Sequence, residues 1–134
     1  GNLEAKSINI IKNYPLDEVV YADDKMLISI LQNIIGNAIK FSYKNSNITI
    51  TTDRIDNNLL ISVKDQGIGM DKSSIDSLFQ IEKIFTKEGT NKEQGTGLGL
   101  LICKEFVEIH KGKIWVESEI NKGTTFILQF PYQN

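Results

Sequence analysis

Arginine is almost missing from this chain. Arg54 is the only one in 134 residues, and 15 basic against 17 acidic residues leave a formal charge of -2. Nucleic-acid binders usually carry an arginine-rich basic patch, so nucleic acid is not an expected partner. Cysteine is as scarce. Cys103 stands alone, which rules out an internal disulfide and suits a reducing cytosol. No apolar run is long enough to span a bilayer and no signal peptide opens the chain, so direct membrane contact is not expected. There is no internal repeat, no low-complexity linker and no Walker-type phosphate loop. What is present, 40% hydrophobic and 24% charged residues, is ordinary for a soluble globular protein. The length suits one core, so residues 1–134 read as a single domain, monomeric by itself. Opening at Gly1 rather than Met, the chain reads as a piece of a larger protein.

Hydrophobic periodicity divides it into elements. Ser7 to Ile11 and Val19 to Ala22 read as short strands around a turn at Tyr14-Pro15. Asp23 or Asp24 caps a helix running to about Ser42, in which Leu27, Ile30, Leu31, Ile34, Ile35 and Ala38 form one apolar stripe. Ile48 to Thr52 and Leu59 to Val63 alternate as strands, joined by the turn around Asp56-Asn57-Asn58. A short helix is predicted over Ser73 to Leu78, and a mobile loop from Ile84 to Gln94. A helix from about Gly97 to His110 stops at Gly112 as its C-cap, and Lys113 to Glu119 with Thr124 to Phe130 closes as a hairpin. These elements predict an α+β fold, a two-layer sandwich of about three helices on one face of a mixed, mostly antiparallel sheet.

Three constellations carry chemistry. Asn33, Asn37 and Lys40 lie together at the edge of the first long helix's apolar stripe. The Asn37 carboxamide oxygen is a hard, neutral ligand suited to Mg²⁺ already held by phosphates, and Lys40 can balance phosphate charge. Read separately, they are a backbone-bonding asparagine and a surface lysine. Asp65-Gln66-Gly67-Ile68-Gly69-Met70 places a carboxylate at a strand end before two glycines. Such a carboxylate accepts from an adenine amino group and rejects a guanine carbonyl, although a bare D-x-G-x-G is also a common strand-to-turn pattern. Gly95-Thr96-Gly97-Leu98-Gly99-Leu100 opens a helix whose orphan N–H groups and dipole favour an anion. Its spacing is not that of a dinucleotide fingerprint, and a flexible hinge is the competing reading. Together the three are expected to make an ATP site. Thr124 shares the alternating face of Phe126, Leu128 and Phe130, so its hydroxyl needs a partner: an adenine ring edge or a backbone carbonyl. His110, in the last turn of its helix, reads as structural, and Cys103 as a core residue.

These residues resemble the ATP-binding catalytic domain of bacterial sensor histidine kinases, within the superfamily of gyrase, the Hsp90 chaperones and MutL. Leu31 to Ser42 is similar to the asparagine box, Asp65 to Gly69 to the first glycine box, Gly95 to Leu100 to the second, and Gly123-Thr124-Thr125-Phe126 to the closing box. The resemblance spans nearly the whole chain. It implies that Asn37 binds Mg²⁺, that Asp65 with its glycine box reads adenine and that Phe41 flanks the base. Lys40 and Asn33 would face phosphates, and the second glycine box would hold the triphosphate. The ATP lid would run from about residue 79 to 94, with Lys87 near a terminal phosphate. Phe79-Gln80-Ile81-Glu82-Lys83-Ile84-Phe85 departs from the usual proline-bearing F-x-x-F segment, so lid contacts are the loosest transfer.

ATP-hydrolysing relatives resemble one another in a glutamate four residues before the metal-binding asparagine. Asn33 stands there, and an amide cannot serve as a general base. The resemblance thus implies a kinase domain that presents the γ-phosphate to a histidine on a separate helical dimerisation domain of its parent, with a response-regulator receiver downstream. The expected location is the cytoplasm, under a parent that sits in the inner membrane in many such systems. The sole histidine lies after the second glycine box, so the fragment is expected not to phosphorylate itself. A silent ATP-binding module and, behind it, a clamp-type ATPase are the alternatives.

Overall fold

Alternation in the strands is resolved by pairing. In a computed structural model, residues 6–13, 22–79 and 98–132 are described. Strands β1 (Asn9–Asn13), β2 (Asn47–Ile55), β3 (Asn58–Lys64), β4 (Lys113–Glu119) and β5 (Gly123–Pro131) form one sheet in the order β1-β2-β3-β5-β4. Only β1 and β2 run parallel; every other neighbour is antiparallel. The register sets Leu59 opposite Phe130, Ile61 opposite Leu128 and Val63 opposite Phe126, so apolar side chains meet in cross-strand pairs on one face. That face packs against the helices α1 (Asp24–Phe41) and α3 (Leu98–Ile109) through Ile30, Ile34, Ala38, Leu100, Cys103 and Val107, all buried. Helix α2 (Lys72–Ser77) is one short piece with no buried residue of its own, and Leu78 just beyond it enters the core. The α+β sandwich expected from the periodicity is the fold observed.

Helix α1 keeps its predicted limits for local reasons. The Asp23 side chain accepts from the Met26 N–H as N-cap, Asp24 adds negative charge in the first turn, and Ser42 closes the other end through Ala38 O and Ile39 O. Several strand ends run one to three residues beyond expectation, and two boundaries shift at left-handed residues. The first strand begins at Asn9, not Ser7, because Ser7 takes a left-handed conformation (φ 54). The left-handed residue that ends α3 is Lys111 (φ 59) rather than Gly112, whose N–H returns to Val107 O. Of the second predicted strand, Val19 to Tyr21 lie outside the described residues and Ala22 is not in a strand. The predicted loop of 84–94 also lies outside them.

The left-handed turn at Ser7 accompanies a contact no periodicity announces. Lys6 is 1% exposed, and its Nζ donates to the carbonyls of Ile39 at 2.9 Å, Lys40 at 2.7 Å and Ser42 at 3.2 Å. The carbonyl end of a helix is electron-rich and short of donors, so a lysine inserted there adds three charged ones. Lys6→Met keeps the bulk and removes the donors. We expect it to lower unfolding free energy by about 2–3 kcal/mol, read from urea denaturation; an unchanged midpoint would show the carbonyls are satisfied without it.

Candidate functional site

Three distant parts of the chain meet in one cleft. Helix α1 brings Asn37 and Phe41 from its C-terminal half, the turn after β3 brings Asp65, Gly69 and Met70, and β5 brings Thr124 and Phe126. Leu78 and Leu100 close the apolar side. The cleft holds about 10 Å³, space for one water.

Asp65 is 2% exposed and organises the polar end. Its Oδ1 accepts from Gly67 N and from Thr124 N, each at 3.0 Å, while its own N–H donates to Thr124 O. One carboxylate oxygen thus joins the first glycine turn to the start of β5. Among the described residues no donor meets Oδ2. Burial pushes the carboxyl up from 3.8 to about 6, against the pull of the two N–H bonds. An acid so placed changes charge close to neutrality.

The two glycines beside it serve the protein's own packing. A side chain at Gly67 would collide with the Phe41 carbonyl, and one at Gly69 (φ 69) with the Glu119 carbonyl. Ile68 N–H also donates to Phe41 O, which ties the turn to the end of α1. The close approach expected of a ligand is, at both positions, an approach of backbone.

On α1, Asn37 Nδ2 donates to Asn33 O at 2.9 Å, and Asn33 Nδ2 to Ser29 O at 2.9 Å. A carbonyl can only accept, so both amides must turn their NH₂ groups inward, and the amide oxygens are left over. Asn37 lines the cleft. The Asn33 oxygen instead abuts Gly99 at the start of α3, where a Cβ would strike it. Lys40 places Nζ over the Phe41 ring, 4.9 Å from its centroid, and is outside the cleft wall. Gly95, Thr96, Gly97 and Lys87 lie outside the described residues; of the second glycine box only Leu98 to Leu100 are inside them. Phe79, the first residue of the expected lid, packs against the core.

Thr124 is 6% exposed, and the partner its hydroxyl finds within the protein is the Ser118 hydroxyl at 2.7 Å rather than a backbone carbonyl. Cys103 is in the core as expected, its thiol pushed up to about 11 by burial. His110 is structural. Its Nε2 accepts from Asp23 N–H at 2.9 Å, so the proton belongs on Nδ1, which faces Phe106 O at 2.7 Å. Both ring nitrogens are spent joining the end of α3 to the cap of α1. Met70, Leu78 and Phe126 are cleft residues to which the amino-acid pattern assigned no role. Position beside Gly69 and alternation with Thr124 were the available signals for Met70 and Phe126.

Residues 22–134 match the family described as histidine kinase-, DNA gyrase B- and HSP90-like ATPase. The chain is similar to the sensor histidine kinase WalK of Bacillus subtilis, 40% identical over 94% of this chain and 21% of that protein. Among solved structures it is similar to the nucleotide-free catalytic domain of histidine kinase ThkA. The TM-score is 0.81 and the identity 30%, over 98% of this chain and 83% of that one. It is also similar to ThkA solved in complex with the response regulator TrrA, with TM-score 0.76 and 25% identity, over 97% and 36% of the two chains. The chain spans about a fifth of the length of the curated relatives it matches. No helix among the described residues is long and apolar enough to cross a membrane. With an asparagine of α1 and a buried carboxylate lining one cleft of this fold, the chain belongs to the histidine kinase-, DNA gyrase B- and HSP90-like ATPase family, among its histidine kinase catalytic domains.

Proposed function

We propose that the domain binds Mg·ATP in this cleft and presents the γ-phosphate to a histidine on a separate helical domain of its parent protein. The observation that carries the reading is one cleft lined by two side chains with oxygens to spare. Asp65 keeps Oδ2 and Asn37 keeps Oδ1 beyond their internal bonds, and both residues line the cleft. Asp65 would accept from the adenine amino group, with Phe41 and Met70 against the ring and Thr124 at its edge. Asn37 would hold Mg²⁺, a hard cation that keeps several waters and phosphate oxygens and needs few protein ligands. When bound, the ion neutralises charge on the phosphates as the γ-phosphoryl departs. Lys40, the Asn33 amide and the second glycine box, Gly95 to Leu100, would stand at the phosphate end. The protein's part is positioning and charge complementarity. Asn33 has no proton-accepting side chain to activate water, which favours transfer over hydrolysis.

The parent would be a two-component sensor whose phosphorylated histidine passes its group to a receiver domain, as the ThkA complex with a response regulator suggests by analogy. Such a domain works where ATP is, in the cytoplasm. The test is calorimetry with ATP and GTP, each with and without magnesium, followed by incubation with the dimerisation domain in trans. We expect magnesium-dependent preference for ATP and an acid-labile phosphohistidine on the partner only. Tight binding without transfer would make the domain a sensor module, and fast release of free phosphate would make it an ATPase.

A further inference from the structure

We propose that Ser118 is a specificity-determining positioning residue, which fixes the Thr124 hydroxyl as a hydrogen-bond acceptor toward the cleft. This rests on the adenine reading above and deepens it. Ser118 on β4 lies directly opposite Thr124 on β5, on the helix-facing side of the sheet. Its hydroxyl has one proton and two lone pairs. The Met70 N–H donates into it at 2.8 Å, and the Gly123 carbonyl faces it at 2.9 Å. A carbonyl can only accept, so the Ser118 proton goes to Gly123. One lone pair then remains for the third neighbour, Thr124 Oγ1 at 2.7 Å. Thr124 must therefore be the donor in that bond. The opposite polarity would set the Ser118 and Gly123 oxygens lone pair to lone pair.

With its proton spent on Ser118, Thr124 offers the cleft only lone pairs. Asp65, bonded through Oδ1 to the Thr124 N–H, likewise offers an acceptor. Two neighbouring acceptors suit a group with two protons, an exocyclic amino group, and repel a carbonyl in its place. A site whose buried polar groups are all of one polarity discriminates strongly, since the wrong ligand leaves them unpaired. Ser118 touches no ligand in this scheme. It does not line the cleft, and it acts by withholding a proton.

The test compares ATP with inosine triphosphate, which replaces the purine amino group by a carbonyl, by calorimetry on the wild type, Ser118→Ala and Ser118→Thr. In Ser118→Ala the Thr124 proton is released and can turn toward the carbonyl. We expect the ATP-over-inosine preference to fall at least about tenfold, with inosine affinity unchanged or improved. Ser118→Thr, which restores a hydroxyl, should recover the preference. On a Thr124→Val background, Ser118→Ala should no longer change the ratio. If Ser118→Ala fails to melt cooperatively, Ser118→Cys substitutes a poor donor and acceptor of similar size, and the same fall is expected. Equal weakening of both nucleotides, or a ratio that still changes without the Thr124 hydroxyl, would overturn the proposal. A wild type that prefers ATP beside an Ala variant that prefers it equally sinks the role of Ser118 alone. A wild type that binds neither sinks the adenine reading with it.

Discussion

Asp65→Asn should give a domain that melts higher than the wild type and binds ATP at least about a hundredfold more weakly. Both effects come from one buried charge. The carboxyl is shifted from 3.8 to about 6 by burial. Between those values the folded protein retains its proton while the unfolded chain has released it. Stability therefore falls as pH rises through that window, and the whole cost is present above about 6. It amounts to about 3 kcal/mol. The amide of asparagine escapes the charge and can still accept from Gly67 and Thr124 N–H through its oxygen. We expect about 1–2 kcal/mol of added stability, or about 5 °C in melting temperature near neutral pH, and no gain below pH 4. The amide would, however, turn its NH₂ toward a ligand amino group, donor against donor. Wild-type ATP affinity should rise as pH passes through about 6, and Asp65→Asn should lack that step. Because the phosphates of ATP also titrate near pH 6, the informative quantity is the difference between the two proteins across pH 5–8. If Asp65→Asn melts lower, or if the two proteins follow the same affinity profile across that range, the carboxylate is held charged by some other group.

The second large effect is expected at Asn37. Asn37→Ala removes the proposed metal ligand and one half-buried bond to Asn33 O. Alanine is the better helix former by about half a kcal/mol, which offsets that bond, so the melting temperature should stay within about 2 °C. ATP affinity in the presence of Mg²⁺ should drop at least about a hundredfold, while affinity in EDTA stays near the wild-type value. This asymmetry separates a metal ligand from a packing residue, which would weaken both. Asn37→Asp would supply oxygen but no donor, and its carboxylate would face the Asn33 carbonyl. It should bind metal and lose stability, the reverse of the alanine substitution.

The elements with strong internal period were legible from residues alone. The stripe through Ile30, Ile34 and Ala38, the alternation through Leu59, Ile61 and Val63, and the Asp23 cap each rest on neighbours within a turn or a strand pair. Part of the cleft lining was legible for the same reason: Asn37, Asp65 and Gly69 each stand in a short run. Less legible was what the glycines do. Gly67 and Gly69 signal close approach, but the backbone that approaches belongs to Phe41 and Glu119, from other elements.

The amino-acid sequence alone determined the helix and strand pattern, the family and the residue types available to the site, because these depend on side-chain period and local chemistry. Tertiary structure decided which atoms are left free. Lys6 reaches α1 across 33 to 36 residues, Met70 reaches Ser118 across 48, Thr124 reaches Asp65 across 59 and Asp23 reaches His110 across 87. Each of those bonds consumes a proton or a lone pair, and Asp65 Oδ2 and Asn37 Oδ1 remain unspent on residues that line the cleft. No local pattern encodes that remainder, because hydrogen-bond capacity is settled only when strand register and helix docking bring the partners together.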